Sequence, residues 1–277
     1  MKKFTLILVI LFFCSLPSAY AQNFKGKPKP VYNIEPPAKN LTVGETLNFS
    51  VEWLGIPVGN VVLKIEGIET LDNRKYYHIT GTAKPNSFFR TFVNLEYWVD
   101  SYFDVETHVS RRFEKNRRLN AKANHILIDF DPNKNEAVFN SAGAAEPYTI
   151  SEQRSSVEAT NPDTNKIPKN TQDLLSCLYY FRLQDLKEGE SHAVNIYYSK
   201  KNWLLNFKVD KPFRRDIHNK GSFILFRVAS LSALNDLILG RSKFYAYFTA
   251  DSRRIPVEFS FNTGIGLVTA RIQEFPK

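Results

Sequence analysis

The sequence has few of the residues that stabilise small folds through disulfides or metals. Its 277 residues include two cysteines and one methionine. Two cysteines are too few for a disulfide scaffold or a cysteine-rich zinc module. Charged residues make up 23% of the chain and hydrophobic residues 43%. These proportions exclude a disordered or collagen-like chain and indicate a globular protein.

The sequence also lacks the short motifs that carry common chemistries. It contains no Gly-x-Ser-x-Gly elbow and no Walker loop,. Its five histidines show no metal-ligand spacing such as His-x-His or His-Glu-x-x-His. We therefore predict no metal, no cofactor and no set of catalytic residues. Cys177 lies among apolar residues at helical spacing, which favours a buried structural thiol over a nucleophile.

The first 21 residues have the three parts of a secretory signal peptide. Lys2-Lys3 is a basic start, residues 4–13 are an apolar run, and residues 19–21 match the small-x-small cleavage pattern,. The run is too short to span a bilayer as a permanent helix. Phe13 precedes Cys14 where a lipobox needs a small residue, so we expect no lipidation there. We predict a periplasmic or secreted protein of a Gram-negative-type bacterium, with no transmembrane segment after cleavage.

Positive charge remains in surplus when the signal is removed. Lys2 and Lys3 are the only charged residues of residues 1–21, so 35 basic and 28 acidic residues remain, a net charge of +7. In an exported protein this surplus fits a lipid, lipopolysaccharide or glycan ligand, or peripheral contact with a membrane, better than nucleic acid. A basic surface that serves only solubility is the alternative.

The pattern of apolar residues predicts a mainly β fold. Aromatic residues make up 14% of the chain, and they favour strands,. Residues 22–43 form a flexible Pro-rich leader, after which Leu47, Phe49, Val51 and Trp53 alternate with polar residues,. Similar segments recur along the chain, and we count about twelve strands.

One segment has helical rather than strand periodicity. Leu174, Cys177 and Phe181 fall on one face of a helix predicted over 171–185,. Asn170 is expected to cap this helix and Asp173 to favour its first turn.

These elements predict a single β-rich domain over 44–277. A long loop is expected near 141–170, which is rich in Ser, Ala, Asn and Pro,. The predicted architecture is a curved antiparallel sheet wrapped around one central helix, as a half-barrel, barrel or β-spiral.

Three motifs resemble an exported bacterial family, the domain-of-unknown-function family 3108. They are a strand end and glycine turn at 53–59, an Asp-x-Leu-Ser-x-Leu-Tyr-x-x-Arg pattern at 173–182, and an Asp, a basic pair and Ile-Pro within 249–257. The resemblance covers residues 44–274. It implies an exported β-rich protein and no particular chemistry, because the family has no settled activity.

Five residues are candidate binding residues. Arg253 and Arg254 could clamp a phosphate or carboxylate next to Asp251, or the three could simply form a tight turn in which Asp251 caps backbone amides. Trp53 and Trp98 lie near turns and could line an acyl-chain cavity or stack on sugars, or belong to the core.

We expect non-enzymatic binding of a hydrophobic or amphipathic envelope component, such as a lipid or glycolipid. Two alternatives stay open. One is an envelope-glycan hydrolase that uses Glu96, Asp100 and Asp104, which would share one face of a strand. The other is a structural scaffold for other envelope proteins.

Overall fold

The computed structural model describes residues 30–92, 94–120, 122–145, 162–231, 244–263 and 266–276. The predicted signal peptide and the centre of the predicted loop lie outside these residues. Within Tyr32–Lys277 the described residues form one compact unit. No helix in this described part of the chain is long and apolar enough to cross a membrane.

The described residues contain fifteen strands, all joined in one antiparallel sheet. The strands are β1 (Thr46–Trp53), β2 (Ile56–Leu71), β3 (Arg74–Pro85), β4 (Leu95–Asp104), β5 (Ser110–Leu119), β6 (Lys122–Asp131), β7 (Glu136–Ala145), β8 (Asp163–Lys166), β9 (Ser191–Tyr198), β10 (Lys201–Val209), β11 (Phe213–Ile217), β12 (Gly221–Ser230), β13 (Phe244–Thr249), β14 (Pro256–Thr263) and β15 (Gly266–Glu274). Two short helices accompany them, α1 (Ser87–Arg90) and α2 (Ser176–Leu183).

Most neighbours in the strand order are consecutive in the chain, and the exceptions are β1 beside β15 and β10 beside β12. The order runs β8-β7-β6-β5-β4-β3-β2-β1-β15-β14-β13-β12-β10-β9, and β11 pairs with β12 beside this path. The two ends of the order, β8 and β9, are not paired with each other in the described part of the chain, so the sheet is not closed. A single parallel bridge between Gln172 and Ile196 adds the segment after β8 to the free edge of β9.

The predicted alternation of apolar and polar residues is confirmed in the strands. Leu47 and Phe49 of β1 are buried in the core, as are Phe103 and Phe113 of β4 and β5. The mainly β prediction is therefore confirmed. Two strands were not predicted, namely β11 and β8, and β8 lies within the segment expected to be a loop.

Helix α2 is shorter than predicted, and its cap is a different residue. Asn170 has a φ of 56°, a left-handed conformation outside the helix, so its predicted role as the cap is wrong. Asp173 caps instead, because its Oδ1 accepts hydrogen bonds from the backbone amides of Leu175 and Ser176, both at 2.7 Å,. The predicted helix over 171–185 is thereby cut to Ser176–Leu183.

Asp173 also joins this helix start to the sheet. Its Oδ2 accepts hydrogen bonds from the hydroxyls of Ser101 in β4 and Ser110 in β5, at 2.7 and 2.5 Å. The side chain is fully buried, and desolvation raises the pKa of Asp173 above its usual value despite these four hydrogen bonds,.

Helix α2 contributes to two separate hydrophobic clusters. Tyr179 and Leu183 pack in a cluster drawn mainly from β1–β7, with further members from β9, β12, β14 and β15, whereas Cys177 and Phe181 pack with β9, β10, β12 and β13. Positions four apart lie on one face of a helix, so each cluster takes one face. Leu178 and Tyr180 of the helix pack against both clusters, so α2 lies where the two clusters meet.

Candidate functional site

An apolar cavity of about 280 Å³ lies between α2 and the second half of the sheet. On the helix side its wall is formed by Leu174, Cys177, Leu178 and Phe181. These are the residues whose helical spacing the sequence shows, so the predicted apolar face exists and borders this space.

The opposite wall of the cavity comes from inward positions of six strands, mainly β10, β12, β13 and β14, with Leu63 of β2 and Ile196 of β9 beside them. It includes Leu205 and Phe207 of β10, Val228 of β12, Ala246 of β13 and Phe259 of β14. Neighbouring positions such as Asn206 and Ala229 point to the other face, because side chains alternate along a strand. The wall is thus built by the same alternation that predicts the strands.

The chemistry of the lining is almost wholly hydrocarbon. Among the described lining residues none is charged, and the hydroxyl of Ser230 already accepts a hydrogen bond from the backbone amide of Phe244 at 2.8 Å. Burial raises the pKa of the Cys177 thiol far above its usual value, so it stays a neutral thiol,. The cavity therefore suits an alkyl or aryl group and offers nothing to a charged one.

The volume sets the size of group that fits. At about 280 Å³ the cavity is nearly twice the roughly 150 Å³ of an apolar cavity that stays dry and accepts benzene,. It lies just below the roughly 300–1,000 Å³ of sites for drug-sized ligands. A short segment of an acyl chain matches this volume.

The five predicted binding residues do not come together. Trp53 ends β1 on the core-facing side, and Trp98 lies on β4 on the opposite face, where the Lys84 ammonium sits 5.5 Å from its ring centre. Asp251, Arg253 and Arg254 lie in the β13–β14 turn, at the far end of those strands from the β14–β15 turn. None of the five is among the described residues that line the cavity.

The turn at Asp251 has the arrangement of a tight cap. Asp251 Oδ1 accepts hydrogen bonds from the backbone amides of Arg253 and Arg254, both at 3.1 Å. Arg254 is fully buried, with its guanidinium donating to the carbonyl oxygens of Gln184 and Glu35. Burial lowers the pKa of Arg254 to about 10. These contacts fasten the leader and the end of α2 to the sheet, and anion binding by this turn stays a prediction.

Arg182 completes the link between the second and third sequence motifs. Its guanidinium forms two hydrogen bonds with the Glu45 carboxylate, at 2.6 and 2.8 Å, and donates to the carbonyl of Arg253. Both charged side chains are 3% exposed. The motif arginines thus hold α2 in place.

The acidic residues of β4 share a face, as predicted, but each is paired with a basic group. Glu96 pairs with Arg118, and Asp104 with Arg74 at 2.9 Å. Asp100 accepts a hydrogen bond from His78 at 2.9 Å. These ion pairs lie on the face opposite the core, so the acids serve the outer surface of the sheet rather than an acid–base pair in a cleft.

His78 is held between two carboxylates on that outer face. Its Nδ1 lies 2.7 Å from Glu69 Oε1, its Nε2 contacts Asp100, and its ring stacks on Tyr102 with 4.7 Å between centres. The hydrogen bond to Asp100, the largest cause, and the charge of Glu69 raise the pKa of His78 above its usual value, against the effect of burial.

We expect the stabilisation from His78 to depend on pH. Because its folded pKa is raised, its contribution is complete below the unfolded value of about 6.5 and is lost as the pH rises through the folded pKa. H78Q should therefore cost about 1–3 kcal/mol of unfolding free energy below pH ~6 and less in the alkaline range. Urea unfolding of both proteins across this range measures the difference. A loss that stays constant with pH would show that His78 is neutral when folded.

The cavity-lining strand residues were not among the sequence candidates. Leu205, Phe207, Val228 and Ala246 show the alternation of any half-buried strand,. No local signal distinguishes a residue that borders empty space from one that fills the core.

Comparisons with known proteins place the chain in a family. A family model described as "Protein of unknown function (DUF3108)" matches residues 48–273. The chain belongs to this family. The resemblance found in the three motifs of this DUF3108 protein is thereby confirmed, and it brings no activity with it. A comparison with curated proteins finds no match.

Two solved structures are similar to this DUF3108 protein. One is a β-barrel-like protein of the domain of unknown function DUF1849 from Brucella abortus, with 7% identity, a TM-score of 0.50, and 86% of this chain and 99% of that chain covered. The other is a candidate lipoprotein from Parabacteroides distasonis, with 11% identity, a TM-score of 0.30, and 88% and 100% covered. At such identity the first likeness concerns the fold alone.

Proposed function

We propose that this DUF3108 protein is an exported, non-enzymatic protein that binds the hydrocarbon part of a lipid or glycolipid of the cell envelope. The single observation that carries the proposal is the apolar cavity of about 280 Å³ between α2 and the second half of the sheet. Its lining excludes a charged ligand group, so the polar head of the ligand remains outside.

The arrangement of the core supports a binding role for α2. In this proposal the sheet curves around α2, which therefore packs with both hydrophobic clusters, and the cavity is the space that the described side chains leave unfilled. Natural cores are close-packed and rarely leave voids of this size. A ligand that fills this space would complete the packing around α2.

The predicted export of the protein and its net positive charge both support a ligand from the cell envelope. The predicted signal peptide would bring the chain to the periplasm or beyond, where acyl chains are attached to anionic headgroups. The net charge of +7 that remains in residues 22–277 favours such headgroups over neutral ones,.

Native mass spectrometry of the protein tests the proposal. Cells would express the full chain, and the protein would be purified from a periplasmic extract without detergent. We expect an additional mass that organic solvent releases and that lipid analysis identifies. A clean unliganded mass in gentle conditions would contradict the proposal and favour a scaffold role.

A pair of matched variants connects the ligand to the cavity. A246F places a phenyl ring in the cavity, and we expect it to lower the affinity by about ten-fold or more, because the ring and the ligand would occupy the same space,. A229F adds the same ring on the opposite face, one strand away, and should retain the ligand. S230L fills the cavity from β12 if A246F fails to fold. A ligand retained by a folded A246F or S230L protein would show that it binds elsewhere.

A further inference from the structure

Large apolar side chains are exposed together at one end of the sheet. This end, called here the α1 end, comprises α1 with the residues that follow it to Phe92, the β1–β2 turn with the start of β2, and the start of β15. Its exposed residues are Phe92 (70% exposed), Phe88 (64%), Leu54 (60%), Ile56 (55%) and Leu267 (46%). Single exposed apolar residues are ordinary, but a concentration in neighbouring turns indicates an interaction surface.

Specific contacts hold these turns beside one another. Asn86 donates its backbone amide to the carbonyl of Val58 at 3.0 Å and its side chain to the carbonyl of Pro57, which places α1 next to the start of β2. The amide of Leu54 donates to the carbonyl of Leu267 at 2.9 Å. The five apolar side chains therefore project from one connected region.

The β1–β2 turn keeps a large apolar residue where backbone geometry disfavours one. Leu54 and Gly55 have φ values of 52° and 81°, the left-handed conformation of a two-residue hairpin turn that favours Asn, Asp or Gly,. The β2–β3 turn at the other end has the same geometry at Asp72 and Asn73 and meets this preference. Leu54 thus carries a conformational cost while most of its side chain stays exposed, which points to a role for that side chain,.

Two basic side chains accompany the apolar residues of the α1 end. Lys84 and Arg90 are exposed at this end, and neither forms an ion pair with a described carboxylate. The acidic side chains of the adjacent strand ends, Glu52 and Glu96, are neutralised by Arg271 and Arg118. The α1 end therefore presents hydrocarbon together with uncompensated positive charge.

We propose that the α1 end docks onto the surface of an anionic phospholipid bilayer. The apolar turn residues enter the headgroup and acyl boundary, and Lys84 and Arg90 contact lipid phosphates. Shallow apolar residues flanked by basic ones are the combination that binds such surfaces, because each contribution alone is weak. Protein–protein interfaces are depleted in lysine, so Lys84 beside the apolar residues favours a lipid surface over a protein partner. This inference does not rest on a ligand in the cavity.

Co-sedimentation with vesicles tests the docking surface. The intact protein is mixed with phosphatidylethanolamine vesicles containing phosphatidylglycerol, and with phosphatidylcholine vesicles. We expect binding to the anionic vesicles that weakens with salt. K84Q/R90Q should lower this affinity by about twenty-five-fold, at about five-fold per charge, and F88S/F92S should lower it by about ten-fold or more. The docking surface is refuted if wild-type protein fails to bind anionic vesicles.

Matched variants at the other end and a local probe complete the test. I68S removes an exposed apolar residue there and K211Q/R214Q two exposed basic ones, and both should bind as wild type. A polarity-sensitive fluorophore at L54C should shift to the blue on anionic vesicles, and the same label at I68C should not. Two results would show that the membrane contact lies elsewhere. One is an equal loss of vesicle affinity in the variants of both ends, and the other is a blue shift of the fluorophore only at I68C. A246F changes a residue of the cavity and none of the α1 end. Its binding to vesicles therefore tests this surface independently of the proposed ligand.

Discussion

Replacing Arg182 by methionine is expected to lower the unfolding free energy by about 3–5 kcal/mol, the largest effect expected of any single change here. The substitution leaves the Glu45 carboxylate, which is 3% exposed, without its two hydrogen bonds in a place that water does not reach. It also removes the donors to the carbonyl of Arg253. Urea unfolding followed by circular dichroism at neutral pH measures the loss.

Two further variants test whether this loss of stability comes from the unpaired buried charge. K187M breaks the exposed pair of Lys187 with Asp185, whose side chains are 65% and 64% exposed, and should change stability by at most about 1 kcal/mol,. The double variant E45M/R182M removes both charges and should recover at least half of the loss, because the cost lies in the unpaired buried charge. If R182M were as mild as K187M, water would have to reach Glu45.

Replacing Asp173 by alanine is expected to cost about 2–4 kcal/mol. One carboxylate caps α2 and accepts hydrogen bonds from two serine hydroxyls of the sheet, and alanine leaves all four donors unsatisfied. D173N should cost less than half as much, because an amide oxygen still caps the helix and serine hydroxyls can turn to accept from the amide nitrogen.

Asp131 offers a matched control for that prediction. Its Oδ1 accepts the same kind of hydrogen bonds from the backbone amides of Asn133 and Lys134, but in a hairpin turn open to water. D131A should therefore cost about 1 kcal/mol or less in the same unfolding experiment. Similar losses in D131A and D173A would mean that burial and the serine contacts add little to the cap.

The candidate site shows where inference from the sequence stops. The apolar face of α2 with Leu174, Cys177 and Phe181 was predicted from spacing, and it does border the cavity. The opposite wall, including Val228 and Ala246, was not predicted. A cavity depends on how far the helix stands from strands about fifty residues away in the chain, and the local pattern is the same whether the space between them is filled or empty.

The arginines of the third motif are a second example of contacts that cannot be predicted from the local sequence. Asp251-Ser-Arg-Arg indicates either an anion clamp or a capped turn. The structure has the capped turn, and it buries Arg254 against the carbonyls of Glu35 and Gln184. These partners lie more than two hundred residues before the turn and seventy residues before it, so nothing near Arg254 in the chain could indicate them.

The local structure of this DUF3108 protein can be predicted from its sequence. Alternation along strands, the apolar face of one helix and the family motifs each arise from neighbouring residues, and they predict a mainly β chain with α2 near its centre. Pairing is decided by the fold, since β15 lies beside β1 and thereby aligns Arg271 with Glu52, and Glu45 meets Arg182. The same long-range packing leaves the cavity beside α2 and gathers the exposed residues of the α1 end, because both depend on which distant segments the sheet brings together.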